Sequence, residues 1–472
     1  HSLHFQVGGA YFFMQPKQCI AIIDSIKAYA KQNPTEAQVY EDWFQAVVNL
    51  RDALPQDKRF DAYKYSGELR SVCAAMMGKM KTGEDVAKVY DIIGRTYLFE
   101  AKDVFDSYCI YLEWNRAPEK KFYQPRRKVL KTVANALQDL ADDRLDLLAI
   151  SMPPGCGKTA LAIFYLTWLA GRNPDEPMLT GSHSNSFVRG VYDECLRIFD
   201  KDGEYLWNDV FPDVAVSNTN AKDCRIDLGK RKRFETLEFT SIGTGNAGLY
   251  RASTLLYCDD LVSGIEVALS KPRLDKLWET YTTDLRQRKI GNKCKELHIA
   301  TRWSVHDVIG RLEQNYGDSD RNRFIVMPAM NEKDESNFDY DYGVGYSTET
   351  LRKQREVMDE MSWKALYMNQ PVEREGLLFP ADELRYFNGV LPDGEPDRKL
   401  MVMDIAWGGG DFTACPIAYV YGDAVFIPDL VFNNGDKTVT RPEVVGKIIQ
   451  HKINVVRGEA NNGGDEYCDV VD

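Results

Sequence analysis

Apolar residues in the first hundred positions recur at helical spacing. Ile20, Ile23, Ile26 and Tyr29 form one row, Val39, Trp43, Val47 and Leu50 a second, and Val86, Val89, Tyr90 and Ile93 a third. A repeat of three to four residues lines one face of a helix. Thr35 and Glu36 after Pro34 mark a helix start. Residues 1–104 therefore read as a helical extension. It carries no catalytic constellation, and docking or oligomerisation is the expected role.

From about residue 145 the pattern changes. Short apolar runs at 145–152, 178–182, 237–242, 253–260, 297–303 and 324–327 alternate with helical stretches. Continuous apolar strands separated by helices predict a largely parallel sheet covered on its faces. A stretch rich in Asp, Asn, Gly and Tyr (331–348) precedes a predicted helix at 350–367, and 391–396 reads as a linker. Strand texture then restarts. A strand at 400–405, a hairpin of 413–421 and 424–432 turning at Gly422-Asp423, a helix at 441–452 and a strand at 455–459 are expected.

Composition narrows the class. The chain has 472 residues, enough for two or three domains, with an ordinary 44% hydrophobic and 28% charged residues. No run of about 18 apolar residues predicts a membrane span. The chain opens on His1 rather than Met, as a trimmed sequence would, and no signal segment is read. Ten cysteines are scattered singly without a CxxC pair, which fits reduced thiols in a cytoplasm. The net charge of -12 argues against a passive nucleic-acid coat. Two basic runs, Arg126-Arg127-Lys128 and Lys230-Arg231-Lys232-Arg233, read equally as DNA contacts or solvated surface.

The strongest chemical signal is Pro153-Pro154-Gly155-Cys156-Gly157-Lys158-Thr159, between a strand and a helical run. Glycines there let backbone amides surround phosphates, and the helix start adds its positive end. Pro154, Gly155, Cys156 and Gly157 would form the cradle for ATP, Lys158 would reach the β- and γ-phosphates, and Thr159 would ligate Mg²⁺. Met152 stands where the strict pattern has its first glycine. About a hundred residues on, the apolar run 255–258 ends in Asp259-Asp260. Asp259 is expected to hold Mg²⁺, and Asp260 to orient or deprotonate water. The run 299–303 ends another strand. There Thr301 would sense the γ-phosphate, and Arg302 would bridge phosphate or carboxylate or else form a structural ion pair. Upstream, the aromatic ring and amide around Gln124 suit adenine, with a helix cap as the other reading.

The later segment has its own acids. Three antiparallel strands, a helix and a strand beside the first open an RNase H-like fold, with Asp404 and Glu459 on adjacent strands. Two such carboxylates can clamp a pair of divalent ions, Mg²⁺ or Mn²⁺, on a phosphodiester. Solvated strand-end acids are the alternative.

Taken together, these residues resemble the large terminase subunit of tailed bacteriophages and related viruses. The most specific segment is Ala300-Thr301-Arg302-Trp303-Ser304-Val305-His306-Asp307-Val308-Ile309-Gly310-Arg311-Leu312. It is similar to the family's ATRWHxxDLxGRL segment, with Ser304 where the family has His. Tyr367-Met368-Asn369-Gln370-Pro371 followed by Glu375-Gly376-Leu377-Leu378-Phe379 is similar to the stretch that closes the family's ATPase domain. Asp260 stands where the family often has Glu.

The resemblance covers residues 105–472. It implies a P-loop (additional-strand) ATPase domain at 105–375, a linker at 376–398 and a nuclease domain at 399–472. It also implies ATP-driven movement of double-stranded DNA into a procapsid and metal-dependent cutting of concatemers. The partners it implies are a portal protein, a small terminase subunit and copies of the chain in a five-membered ring, in the host cytoplasm. Asp404 and Glu459 take the first two nuclease metal positions, with Asp411 auxiliary. The family's third acid falls beyond residue 472, so weak cutting is expected. A charge-neutralising arginine would come from Arg302, Arg251 or a second subunit. The competing readings are another DNA-stimulated ATPase, such as a helicase or remodeller, and a non-catalytic portal scaffold.

Overall fold

The computed structural model describes residues 6–7, 10–11, 14–243, 250–371, 385–406 and 412–458. The chain divides into two compact units, His1–Glu375 and Gly376–Asp472.

The first unit begins with helices α1 (Pro16–Gln32), α2 (Ala37–Ala53), α3 (Asp61–Met77) and α4 (Gly83–Ala101). Ile23, Val39, Trp43, Val47, Leu50, Val89 and Ile93 of the predicted rows are buried between them, whereas Tyr29, Val86 and Tyr90 are exposed. Glu100 ties these helices to α5 (Phe105–Leu112). Its carboxylate, 3% exposed, accepts from the hydroxyls of Ser66 and Ser107 and from Arg70 at 3.0 Å.

Beyond α6 (Tyr123–Ala141) lies an eight-stranded sheet. Its strands are β1 (Leu147–Ser151), β2 (Met178–Ser182), β3 (Val216–Asn220), β4 (Arg225–Leu228), β5 (Leu237–Ser241), β6 (Leu255–Asp259), β7 (Lys295–Ala300) and β8 (Asn322–Val326). They lie in the order β8-β1-β7-β6-β2-β5-β4-β3. Pairing is parallel from β8 through β5 and antiparallel in the last two steps. The fold is thus α/β with a mostly parallel sheet. Helices α7 (Lys158–Arg172) and α8 (Asn185–Phe199) follow β1 and β2 and share one apolar core with α5 and α6. The strands β1, β2, β5 and β6 are buried at every position, as continuous apolar runs require.

Three differences from the sequence reading have physical causes. Strand β7 starts at Lys295 rather than Leu297 because two charged residues are buried there in ion pairs. Lys295 meets Asp146 at 2.8 Å, and Glu296 meets Lys289 at 3.0 Å. Strands β3 and β4 are absent from the sequence reading; β3 is an edge strand of Ser, Asn and Thr with little burial, so no apolar run announces it. The helix expected at 350–367 breaks after Glu356, and a new turn begins where Asp359 caps Ser362 N at 2.8 Å.

The second unit holds β9 (Arg398–Met403), β10 (Thr413–Tyr421), β11 (Ala424–Asn433), helix α9 (Lys437–His451) and β12 (Val455–Gly458). The sheet order is β11-β10-β9-β12, with β12 parallel to β9 and the other pairs antiparallel. Val444 of α9 packs with Met401, Met403, Cys415, Ile417 and Val431. The helix starts four residues before the predicted 441, because Asp436 caps Thr438 N at 2.8 Å and Pro442 is accommodated inside it.

Among the described residues no helix is long and apolar enough to cross a membrane, and the nine described cysteines are buried and form no disulfide with one another.

Buried and exposed ion pairs in the helical layer should differ in strength. Glu100→Ala leaves Arg70 half-buried without its carboxylate and should cost roughly 3 kcal/mol. Glu68→Ala removes only an exposed pair with Lys27 and should cost less than about 1 kcal/mol. Urea unfolding of both variants checks the ranking; equal midpoints would contradict it.

Candidate active site

The site forms at the carboxyl edge of the parallel strands, where three loops meet. After β1 the chain turns through Gly155 (φ 72°) and Gly157 (φ 91°) into α7. Both glycines are required for two reasons. Each takes a left-handed backbone conformation that other residues adopt rarely. Space is also lacking: a Cβ on Gly155 would lie 2.6 Å from Tyr346 Oη, and one on Gly157 would lie 2.7 Å from the Phe122 ring. Tyr346 Oη donates to Pro154 O at 3.0 Å and fixes the turn. Met152 is fully buried, so the position of the missing glycine belongs to the core.

Lys158 opens α7 with its side chain buried, 7% exposed. Its ammonium donates to Thr301 Oγ1 at 2.6 Å and lies 3.8 Å from Asp260 Oδ2. Thr301 follows β7, and its backbone N–H donates to Asp260 Oδ1 at 2.8 Å. Lys158, Thr301 and Asp260 therefore form one connected set. The strand that carries Thr301 stands between β1 and β6 in the sheet, so it brings the tip of one to the tip of the other.

Asp259 and Asp260 are consecutive, and consecutive strand residues point to opposite faces. The conflict is resolved at Asp260, where the chain leaves β6 with φ 40°. Asp259 is fully buried. Tyr257 Oη donates to its Oδ2, while its Oδ1 is buried without a hydrogen-bond partner among the described residues. Burial and, next, the neighbouring Asp260 charge push its carboxyl up to about 7. Tyr257, Lys158 and the nearby Thr159 hydroxyl act in the opposite direction.

Behind Asp260 and Thr301 is a small cavity of about 20 Å³, lined in part by His298 and Asp307 and large enough for one water.

A buried ammonium, a glycine cradle and a buried carboxylate oxygen lacking a partner are the groups that a magnesium–triphosphate would satisfy. The chemistry of the donor set fits that ligand.

Arg302 forms an ion pair within its own segment. Its guanidinium, 5% exposed, donates to Asp307 at 3.0 Å and is not directed at Lys158. Asp307 also accepts from Trp303 N, Ser304 N and Gly310 N at 3.2, 3.3 and 2.8 Å. It thereby caps the helix Val308–Tyr316. Arg251 is exposed before the amino end of β6, the opposite edge from Asp259, with its guanidinium over the Phe234 ring at 4.5 Å.

Gln124 is exposed, in contact with Lys121 Nζ at 3.3 Å. Phe122 is the aromatic neighbour that reaches the glycine turn; Tyr123 is buried and donates to Asp106 at 2.7 Å. The basic run at 126–128 is largely structural. Arg126 donates to Phe122 O and Val344 O, each at 2.9 Å, and Arg127 pairs with Asp106 at 2.7 Å. In the second run Lys232 is bound to Asp227, while Lys230, Arg231 and Arg233 are exposed.

Solved structures similar to this chain are large terminases of bacteriophages. The large terminase of a thermophilic bacteriophage in complex with ADP has 13% identity, with 74% of this chain and 80% of that chain covered, at a TM-score of 0.33. The HK97 bacteriophage large terminase has 14% identity, with 70% and 69% covered, at a TM-score of 0.35. No protein-family model and no curated protein matches the sequence.

Two residues of the site escaped the sequence reading. Tyr346 lies in a stretch read only as polar and soft, about 190 residues from the loop it holds. His183 follows β2, and its Nδ1 bonds Asp260 O at 2.7 Å. No local pattern marks either one.

In the second unit, Asp404 is exposed just after β9, and its backbone pairs with Ala414. Strand β12 places Gly458 opposite Met403. Glu459 and Asp411 lie outside the described residues. Among the described residues no group of three or more His, Cys, Asp or Glu gathers as a metal site.

The raised carboxyl of Asp259 gives a pH prediction. A group whose folded pKa exceeds its unfolded value binds its proton more tightly when folded. Stability is then lost as pH rises from the ordinary aspartate range through about 7. With chelator and without nucleotide, Asp259→Asn should raise Tm at about pH 8 by at least roughly 2 °C and by less than about half as much at about pH 5. A Tm gain equal at both pH values would contradict this.

Proposed function

We propose that the first unit is a P-loop ATPase of the additional-strand type and that the chain is the ATP-hydrolysing subunit of a viral DNA-packaging motor. The observation that carries the ATPase reading is the single set of Lys158, Thr301 and Asp260, with Asp259 and Thr159 beside it. The packaging reading rests on the resemblance of segments 300–312 and 367–379 to large terminase subunits.

Bound Mg²⁺ would neutralise phosphate charge and polarise the γ-phosphoryl group. Asp259 and Thr159 would hold it. Lys158 would leave Thr301 for the β- and γ-phosphates. Asp260, held by the Thr301 N–H, would orient the attacking water and accept its proton. Thr301 thus exchanges a lysine partner for a free hydroxyl during the cycle. The turn built on Arg302 and Asp307 follows it directly, which gives the site a mechanical outlet. A charge-neutralising arginine would be supplied by a second subunit, as in a ring of five copies around double-stranded DNA. Gln124 and Phe122 would meet the adenine. The portal of the procapsid and a small terminase subunit would be the partners, in the cytoplasm of the infected cell.

For the second unit we propose an RNase H-like nuclease, with Asp404 and Glu459 holding Mg²⁺ or Mn²⁺ to cut concatemeric DNA. The strand order β11-β10-β9-β12 supports this reading.

ATP hydrolysis by the purified chain should fall at least roughly 100-fold in Lys158→Ala. A rate that survives the substitution would leave a scaffold as the better reading. Mn²⁺-dependent nicking of plasmid should drop in Asp404→Asn; nicking that is equal in parent and variant would remove Asp404 from the metal centre.

A further inference from the structure

The backbone of Asp260 is strained. A non-glycine residue at φ 40° is uncommon. Such strain persists only where the surroundings over-determine it. Here it is what turns the Asp260 carboxylate toward Lys158 and Thr301 while Asp259 remains in the strand. Besides the ion pair of its Oδ2 with Lys158 at 3.8 Å, three hydrogen bonds surround the residue. Its N–H donates to Ile299 O at 2.9 Å, and its Oδ1 accepts from Thr301 N at 2.8 Å. Both partners belong to β7 or its tip. They grip the residue from one side only and leave the peptide carbonyl free to rotate.

The third contact comes from the other side. His183 follows β2, which flanks β6 opposite β7. Its Nδ1 is 2.7 Å from Asp260 O. A carbonyl oxygen can only accept, so Nδ1 must carry the proton. The ring is half-buried against Phe187, with centroids 5.8 Å apart, which holds its plane. Asp260 is therefore clamped between the two neighbouring strands: amide and carboxylate by β7, carbonyl by His183.

We propose that His183 is a positioning residue for hydrolysis, whose Nδ1–H holds the Asp260 carbonyl and so keeps the Asp260 carboxylate aimed at Lys158 and Thr301. This rests on the ATPase reading above. His183 touches neither nucleotide nor water in this role and acts only through Asp260. Its loss should therefore lower turnover more than nucleotide affinity.

The test uses which ring nitrogen matters. The amide nitrogen of asparagine lies where Nδ1 does, whereas that of glutamine lies near Nε2. His183→Ala and His183→Gln should lower kcat for ATP by roughly 10- to 100-fold, with KM changed less than about threefold, and His183→Asn should recover most of the rate. Binding stoichiometry of a non-hydrolysable ATP analogue separates this from loss of folded protein. Equal rates in parent and His183→Ala, or no difference between Asn and Gln, would overturn the proposal. If the parent chain shows no Lys158-dependent hydrolysis, the ATPase reading fails instead. The clamp is then decided by a crystal structure of His183→Ala. Asp260 relaxing to negative φ supports it; Asp260 keeping both its φ and its Thr301 contact overturns it.

Discussion

A buried ammonium must find oxygen partners, because desolvating it without them costs far more than a domain can spare. In this chain Lys158 meets that requirement with one hydroxyl, Thr301 Oγ1, and one more distant carboxylate, Asp260. That constraint dictates the strand order at the centre of the sheet. Thr301 must stand beside the glycine turn, so β7 lies next to β1. Asp260 must stand beside Thr301, so β6 lies next to β7. A single lysine thus couples three strand tips drawn from positions 151 to 300. Its partners are few.

The surroundings of that set divide into groups that do chemistry and groups that hold them. The segment most specific to the resemblance, 300–312, is mostly of the second kind. Arg302, Asp307 and Gly310 build a tight turn. The carboxylate collects three backbone amides and a guanidinium. A Cβ on Gly310 would lie 2.2 Å from Val305 O. Only Thr301 in the segment faces Lys158. Similarly, Glu113 is buried and accepts from Phe122 N and Tyr123 N at 2.9 Å, fixing the start of α6 and with it the ring beside Gly157. A residue pattern can therefore be diagnostic of a site while most of its members never meet a ligand.

Asp259 shows the cost of such a site. A fully buried carboxyl next to a second carboxylate is held partly protonated near neutral pH. One of its oxygens has no hydrogen-bond partner among the described residues. Such a group is poor for stability and well suited to a cation. The strain at Asp260 belongs to the same balance: local conformation is sacrificed so that two consecutive acids serve one edge of the sheet.

How much was legible in the chain follows from the range of each interaction. Glycine turn, lysine and following helix are contiguous, so Gly155, Gly157, Lys158 and Thr159 were readable as a unit. The apolar run ending at Asp259 and Asp260 was readable because a buried parallel strand leaves a continuous apolar signature. The helical repeats of the first hundred residues and the β-hairpin of the second unit were likewise local. The edge strand β3 and its neighbour β4 left no such mark, and the charges at Lys295 and Glu296 hid the start of β7, since their neutralising partners lie elsewhere in the chain. That Tyr346 and His183 belong to the site depended on partners 192 and 77 residues away, and residue type alone left open whether Arg302 faces a phosphate or a carboxylate. Residue types and short spacings reveal what chemistry is available; only packing settles which side chains come within about 3 Å of one another, because hydrogen bonds and ion pairs act at that distance and sequence proximity does not set it.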